Sequence, residues 1–265
     1  MLFEKNKSNK DLELYLFDSI GLTVIKNAIS AGMVEKLKSA LDRRHNKKPW
    51  KFPILDVDQI FWDLLTTPVM LNMVEKICGE YFRLDHAFGV SSDNIIVNLH
   101  GGPNCSFGSC FSQVDNDILV SQLSCGFPLT PQNKETKGMC YIPGSHKSRY
   151  SNDGRSIKKE LLHDDLNHEA IIVPTLNPGD LVIFSESLIH GDNGWEPKDY
   201  SRLICYYKFS PGFCCWRDPR EQEKYMKLAR NDLERRLLSP PWSGQFSDAN
   251  NQLDHNNKRR EKTLQ

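Results

Sequence analysis

The chain has no excess charge of either sign: 34 Lys and Arg balance 34 Asp and Glu over 265 residues. With no overall field to attract polyanions, nucleic acid and anionic lipid are not expected as partners. The short basic run Lys258-Arg-Arg260 reads as solvated tail. No apolar run reaches membrane-spanning length. Met1–Lys10 is charged and lacks the apolar stretch of a secretory leader. The eight cysteines are therefore expected to be reduced thiols of a cytoplasmic protein. Paired Cys-x-x-Cys spacing is missing, so a structural zinc site is not expected. Ser185-Glu-Ser187 lacks the flanking glycines of a nucleophile elbow, and no glycine-rich phosphate loop or internal repeat is found.

Two helical segments and then many short strands are present. Ser30 caps a helix whose apolar face is Met33, Val34, Leu37, Ala40 and Leu41, and a second helix starts at Pro68 and stops at Gly79. A short strand is expected at 21–25. After Tyr81, strands are expected at 94–99, 118–123, 138–142, 169–173, 180–184 and 202–209, divided by Gly, Pro, Asn and Asp turns. Helices first and strands after them predict an α+β, mainly β, protein of sandwich or barrel type. One domain is expected over 1–242, with a helical extension at 220–238; the polar segment 243–265 reads as a disordered tail.

The most informative stretch is Pro178-Gly-Asp-Leu-Val-Ile-Phe184, followed by Ser-Glu-Ser-Leu-Ile-His190, a polar turn, and Arg202 opening an apolar strand. That order suits a metal-ligating His at the end of one strand and an anion-holding Arg on the next, whose planar guanidinium offers two parallel charge-assisted hydrogen bonds. Together with Tyr141-Ile-Pro-Gly-Ser-His-Lys147 and His190-Gly191, these segments resemble the motifs of the phytanoyl-CoA dioxygenase family, over roughly residues 20–215. The resemblance implies a double-stranded β-helix (jelly-roll, cupin-like) with its core at about 85–215, holding Fe(II) and 2-oxoglutarate. It makes His190 the distal iron ligand and Arg202 the anchor of the far carboxylate of 2-oxoglutarate. Ser145 and His146 read as structural residues of a turn.

The family's proximal ligands form His-x-Asp, and here the chain departs from the pattern. The matching stretch, closing the strand 95–99, is His100-Gly101-Gly102, which makes His100 the proximal ligand and leaves Gly102 where a carboxylate is expected. Three explanations stand. The chain is halogenase-like, with chloride in the vacated position. Or another residue supplies the carboxylate: Asp115 or Asp117 first, with Asp93 and His86 behind them. Or the metal site is degenerate, and the protein is a non-catalytic barrel that binds a small molecule. The expected activity is oxidation of an aliphatic C–H of a small metabolite by O2, as hydroxylation, ring closure or halogenation, with 2-oxoglutarate decarboxylated to succinate. Arg83, Lys147 and Arg149 are candidate contacts for an acidic substrate.

Overall fold

The computed structural model describes residues 11–42, 51–93, 96–102, 111–114, 117–148, 154–160, 162–163 and 165–242. The N-terminal half contains α1 (Leu12–Ile20), β1 (Leu22–Ile25), α2 (Ala31–Asp42), β2 (Lys51–Pro53), α3 (Ile60–Leu65), α4 (Pro68–Cys78), β3 (Arg83–Ser92) and β4 (Ile96–His100). There follow β5 (Phe111–Val114), β6 (Asp117–Val120), β7 (Leu123–Pro128), β8 (Lys137–Tyr141) and α5 (Gly154–Glu160). The last elements are β9 (Leu181–Ser185), β10 (His190–Trp195), β11 (Arg202–Ser210), α6 (Glu223–Met226) and α7 (Asp232–Leu237).

Alternation along β11 shows how the layers are stacked. Leu203, Cys205, Tyr207 and Phe209 join one buried cluster, and Ile204 and Tyr206 join another, as the two-residue period of a strand requires. A strand apolar on both faces must be covered on both. The large sheet, ordered β1-β9-β7-β11-β3-β2, is covered on its outer face by Leu37 of α2, Trp62 of α3 and Val74 of α4. Its inner face, with Phe88, Val90, Val182, Phe184, Ile204 and Tyr206, packs on Met139 and Tyr141 of the small sheet, ordered β4-β10-β8. All pairings within both sheets are antiparallel. Leu99, Cys140 and Ile189 on the outer face of the small sheet pack with Ile157 of α5. Two facing antiparallel sheets with helices outside the larger one form the expected double-stranded β-helix, although among the described residues no strand is shared between them to close a barrel.

Several elements differ from expectation. The strand at 118–123 is two strands, because β6 pairs with β5 whereas β7 pairs with β9 and β11. Residues 169–173 form no strand and contribute one isolated bridge, Ile172 to Tyr141. The polar turn after His190 is β10, a central strand hydrogen-bonded on both sides; backbone pairing sustains it without apolar alternation. Helix α1, capped by Asp11 at its start and by Gly21 at φ +86° at its end, falls largely in a stretch with no assigned element. The extension at 220–238 is helical, as α6 and α7. The segment 243–265 lies outside the described residues, as do Cys105 and Cys110. Among the described residues no helix is long and apolar enough to cross a membrane.

Candidate metal centre

His100 ends β4 and His190 begins β10, and the two are directly opposed in the antiparallel register. Their ring centroids are 4.1 Å apart, with the planes tilted by 52°. Each ring is oriented through Nδ1, His100 to the Asn98 carbonyl at 2.9 Å and His190 to the Leu188 carbonyl at 2.6 Å. A carbonyl can only accept, so Nδ1 carries the proton in both rings and Nε2 keeps its lone pair. Burial, reinforced by the neighbouring His100, brings the pKa of His190 down to about 3. Burial also lowers that of His100. Both imidazoles are thus neutral at physiological pH, the form that binds a metal.

The Pro-Gly-Ser-His turn sets the position of His190. Ser145 Oγ accepts from the Ile189 N–H at 2.8 Å, and the Ile142 N–H donates to the Ile189 carbonyl at 2.9 Å. The same turn is tied to α1 through Gly144 N–H to the Ile20 carbonyl at 3.0 Å and through His146 Nε2 and the Asp18 carbonyl at 2.9 Å. His146 is therefore packed as a structural residue. Ser145→Ala leaves the buried Ile189 N–H without its acceptor and is expected to cost about 1–3 kcal/mol, read as a lower urea midpoint at unchanged slope.

Gly101 and Gly102 adopt φ of +90° and +115°, a region that L side chains rarely enter. A Cβ on Gly101 would stand 2.5 Å from the Leu188 carbonyl oxygen and 2.9 Å from that of Glu186. The Gly102 N–H donates to the Ser187 carbonyl at 2.9 Å. This backbone therefore lies directly on the 186–188 turn, and a side chain at 102 would be strained whatever its chemistry.

Glu186 is the residue that sequence reasoning missed. Its buried carboxylate accepts from Ser124 Oγ, pairs with Lys208 Nζ at 2.7 Å, and places Oε2 4.0 Å from His190 Nε2. Burial alone would raise its pKa, but Lys208 and His190 together with these hydrogen bonds hold it well below the usual carboxylate range. A Glu between two serines just after an apolar strand, four residues before His190, was the available signal. Among the described residues, no three His, Cys, Asp or Glu side chains stand close enough to enclose an ion without adjustment.

Asp115 lies outside the described residues, and so does the side chain of Asp117. Asp93 accepts from Ser201 Oγ, and His86 pairs with Asp85 at 2.7 Å. Arg202 is buried on the same face of β11 as Tyr206 and Lys208, where Nη1 pairs with Asp192 and Nη2 lies 3.4 Å from the Tyr206 hydroxyl. The Arg expected to hold an anion thus already has an internal carboxylate partner. Burial pushes the pKa of Asp192 up, against the pull of Arg202. Of the suggested substrate contacts, Arg83 donates to the Ser239 carbonyl at 2.9 Å and Lys147 pairs with Asp18 at 2.5 Å, whereas Arg149 lies outside the described residues. Lys51 and Lys208 instead flank the Phe88 ring, with Nζ 3.9 and 5.9 Å from its centroid. Burial, helped by Lys208 and Arg217, brings the Lys51 amine down to about 8.

Two facing antiparallel sheets with a histidine pair at the end of the smaller one define a double-stranded β-helix protein. Residues 108–193 match the family model described as phytanoyl-CoA dioxygenase (PhyH). HygX from Streptomyces hygroscopicus, in its crystal structure with nickel and 2-oxoglutarate bound, aligns with a TM-score of 0.68 and 21% identity over 78% of this chain and 89% of that one. Its structure with nickel, 2-oxoglutarate and hygromycin B bound gives a TM-score of 0.66 at 22% identity, over 78% of this chain and 90% of that one. The non-heme alpha ketoglutarate dependent epimerase SnoN from nogalamycin biosynthesis aligns with a TM-score of 0.57 and 16% identity, over 76% of this chain and 83% of that one. No curated protein matches the chain in sequence.

Proposed function

We propose that this chain is an Fe(II)- and 2-oxoglutarate-dependent oxygenase that oxidises an aliphatic C–H of a small metabolite. The observation that carries the proposal is the histidine pair: two neutral imidazoles, opposed in register, each with Nδ1 on a carbonyl and an unprotonated Nε2. The donors fit the metal, since imidazole suits iron and such sites use two His and one carboxylate while leaving positions open for cosubstrate and O2. When bound, the iron would supply the oxidation of the C–H by O2, coupled to loss of CO2 from 2-oxoglutarate to give succinate. The protein contributes orientation and exclusion of water. His100 and His190 hold the metal; Phe184, centred 4.8 Å from the His190 ring, and Tyr141, at 6.4 Å, wall the position. Arg202 receives the far carboxylate of 2-oxoglutarate in exchange for Asp192. Lys51, beside Phe88, offers a cation to an anionic group of the substrate.

One observation favours the other reading, a binding barrel without turnover: Arg202 is already neutralised by Asp192. Anaerobic titration with Fe(II) and 2-oxoglutarate separates the two. The oxygenase reading expects the weak visible charge-transfer band of the chelate in the wild type and its loss in His100→Ala and His190→Ala. It also expects succinate once O2 and an accepted substrate are supplied. No band in the wild type under any condition would leave the non-catalytic barrel. Because the backbone at Gly101–Gly102 gives its own reason for a missing side chain, added chloride is expected to leave the band unchanged; a chloride-dependent shift would restore the halogenase variant.

A further inference from the structure

Resting on the iron-binding reading above, we infer that Glu186 supplies the carboxylate that Gly102 cannot, making the metal-ligand set of this chain His100, His190 and Glu186. Glu186 is placed for this by backbone contact as well as by its side chain. Its carbonyl oxygen would lie 2.9 Å from a Cβ on Gly101, so the turn that carries it is seated on the backbone that follows His100. Its Oε2 is 4.0 Å from His190 Nε2. Ligands at right angles around bonds of ~2.1 Å stand about 3 Å apart, so a shift of about 1 Å brings the carboxylate to ligating distance. That shift is small for a Glu side chain, and two groups already steer it, Ser124 Oγ on Oε1 and Lys208 Nζ on Oε2 at 2.7 Å.

The other buried carboxylates near the site are engaged elsewhere. Asp192 pairs with Arg202, and Asp85 pairs with His86 and accepts from the Trp216 N–H at 2.7 Å. Lys208 and the metal compete for the same oxygen of Glu186. Removing Lys208 should therefore strengthen metal binding, the opposite of what loss of a supporting residue usually does.

The test is anaerobic calorimetric titration of the full-length protein with Fe(II), and with Co(II) as a spectroscopic probe, in wild type, His190→Ala, Glu186→Gln, Lys208→Met, Asp115→Asn and the double variant Glu186→Gln/Lys208→Met. The double variant removes both buried charges together and so strands neither. Expected are wild-type binding, its loss in His190→Ala, and weakening by about 100-fold or more in Glu186→Gln and in the double variant, beyond the ~10–100-fold that outer-shell changes cost. Lys208→Met should bind at least as tightly as wild type, and the visible Co(II) spectrum should change in Glu186→Gln but not in Asp115→Asn. If the double variant binds like wild type while His190→Ala does not, Glu186 is not a ligand and the two-histidine reading stands without it. Weakening in Asp115→Asn alone would move the carboxylate to that residue. Absence of binding in wild type would overturn this inference and the iron reading together.

Discussion

Arg202→Leu is expected to lower the stability of the protein by about 3–5 kcal/mol, the cost of stranding one member of a buried ion pair. The stranded group is Asp192, buried between the sheets with Arg202 as its charge partner. Asp192→Asn should also destabilise, because it leaves the guanidinium without its counter-ion. The double replacement Arg202→Leu/Asp192→Leu should recover most of the loss, since well-packed apolar residues often match a buried ion pair. Urea unfolding of the three variants measures this directly. Binding of 2-oxoglutarate should separate the two single variants. Arg202→Leu loses the anchor, whereas Asp192→Asn removes the internal competitor and should bind the dicarboxylate more tightly than wild type. Equal affinity in Asp192→Asn and wild type would show that the cosubstrate does not exchange with Asp192.

Gly101→Ala is expected to be nearly as damaging. Placing a side chain at φ +90° costs about 1–3 kcal/mol in backbone strain. The added Cβ would meet the Leu188 oxygen at 2.5 Å, and a backbone carbonyl cannot turn aside as a flexible side chain can. Overpacking of this kind typically adds about 1–3 kcal/mol. Gly79→Ala is the control: its φ is +84°, yet nothing lies within 4 Å of the new Cβ, so only the strain is felt. The Tm of Gly101→Ala should fall clearly below that of Gly79→Ala, and metal binding should fall with it, since the clash separates His100 from the 186–188 turn. Equal melting of the two variants would remove close packing as the reason for the His-Gly-Gly sequence.

The parts of the fold legible in the sequence were those whose residues follow one period over enough positions. The faces of α2 and α4 and the apolar runs of β9 and β11 were of this kind, and all four are present. β10 was not legible because Asp192 and Asn193 lie where alternation calls for apolar residues; its stability comes from hydrogen bonds to β4 and β8, which local sequence does not record. The two strands run together at 118–123 contain a change of sheet at Ser121-Gln122, which no residue type announces. At the site, the family resemblance pointed to His190 and Arg202; His190 stands opposite His100, and Arg202 is buried against Asp192. The resemblance did not reveal that Asp192 already pairs with Arg202, because that contact joins two strands across a polar segment. Glu186 was passed over for a related reason. Its surroundings are set by Lys208, more than twenty positions away on another strand, and by the opposed register of β4 and β10.

The turn at 143–146 couples distant parts of the chain. It holds α1 by Gly144 and His146 and holds the residue before His190 by Ser145, so a helix near the start of the sequence is braced against the second histidine through a short chain of hydrogen bonds. The practical consequence concerns handling of the protein: a fusion partner or deletion that unwinds residues 12–20 would be transmitted to His190 although it lies some 170 positions away. Purification handles are therefore better kept away from the N-terminal end of α1.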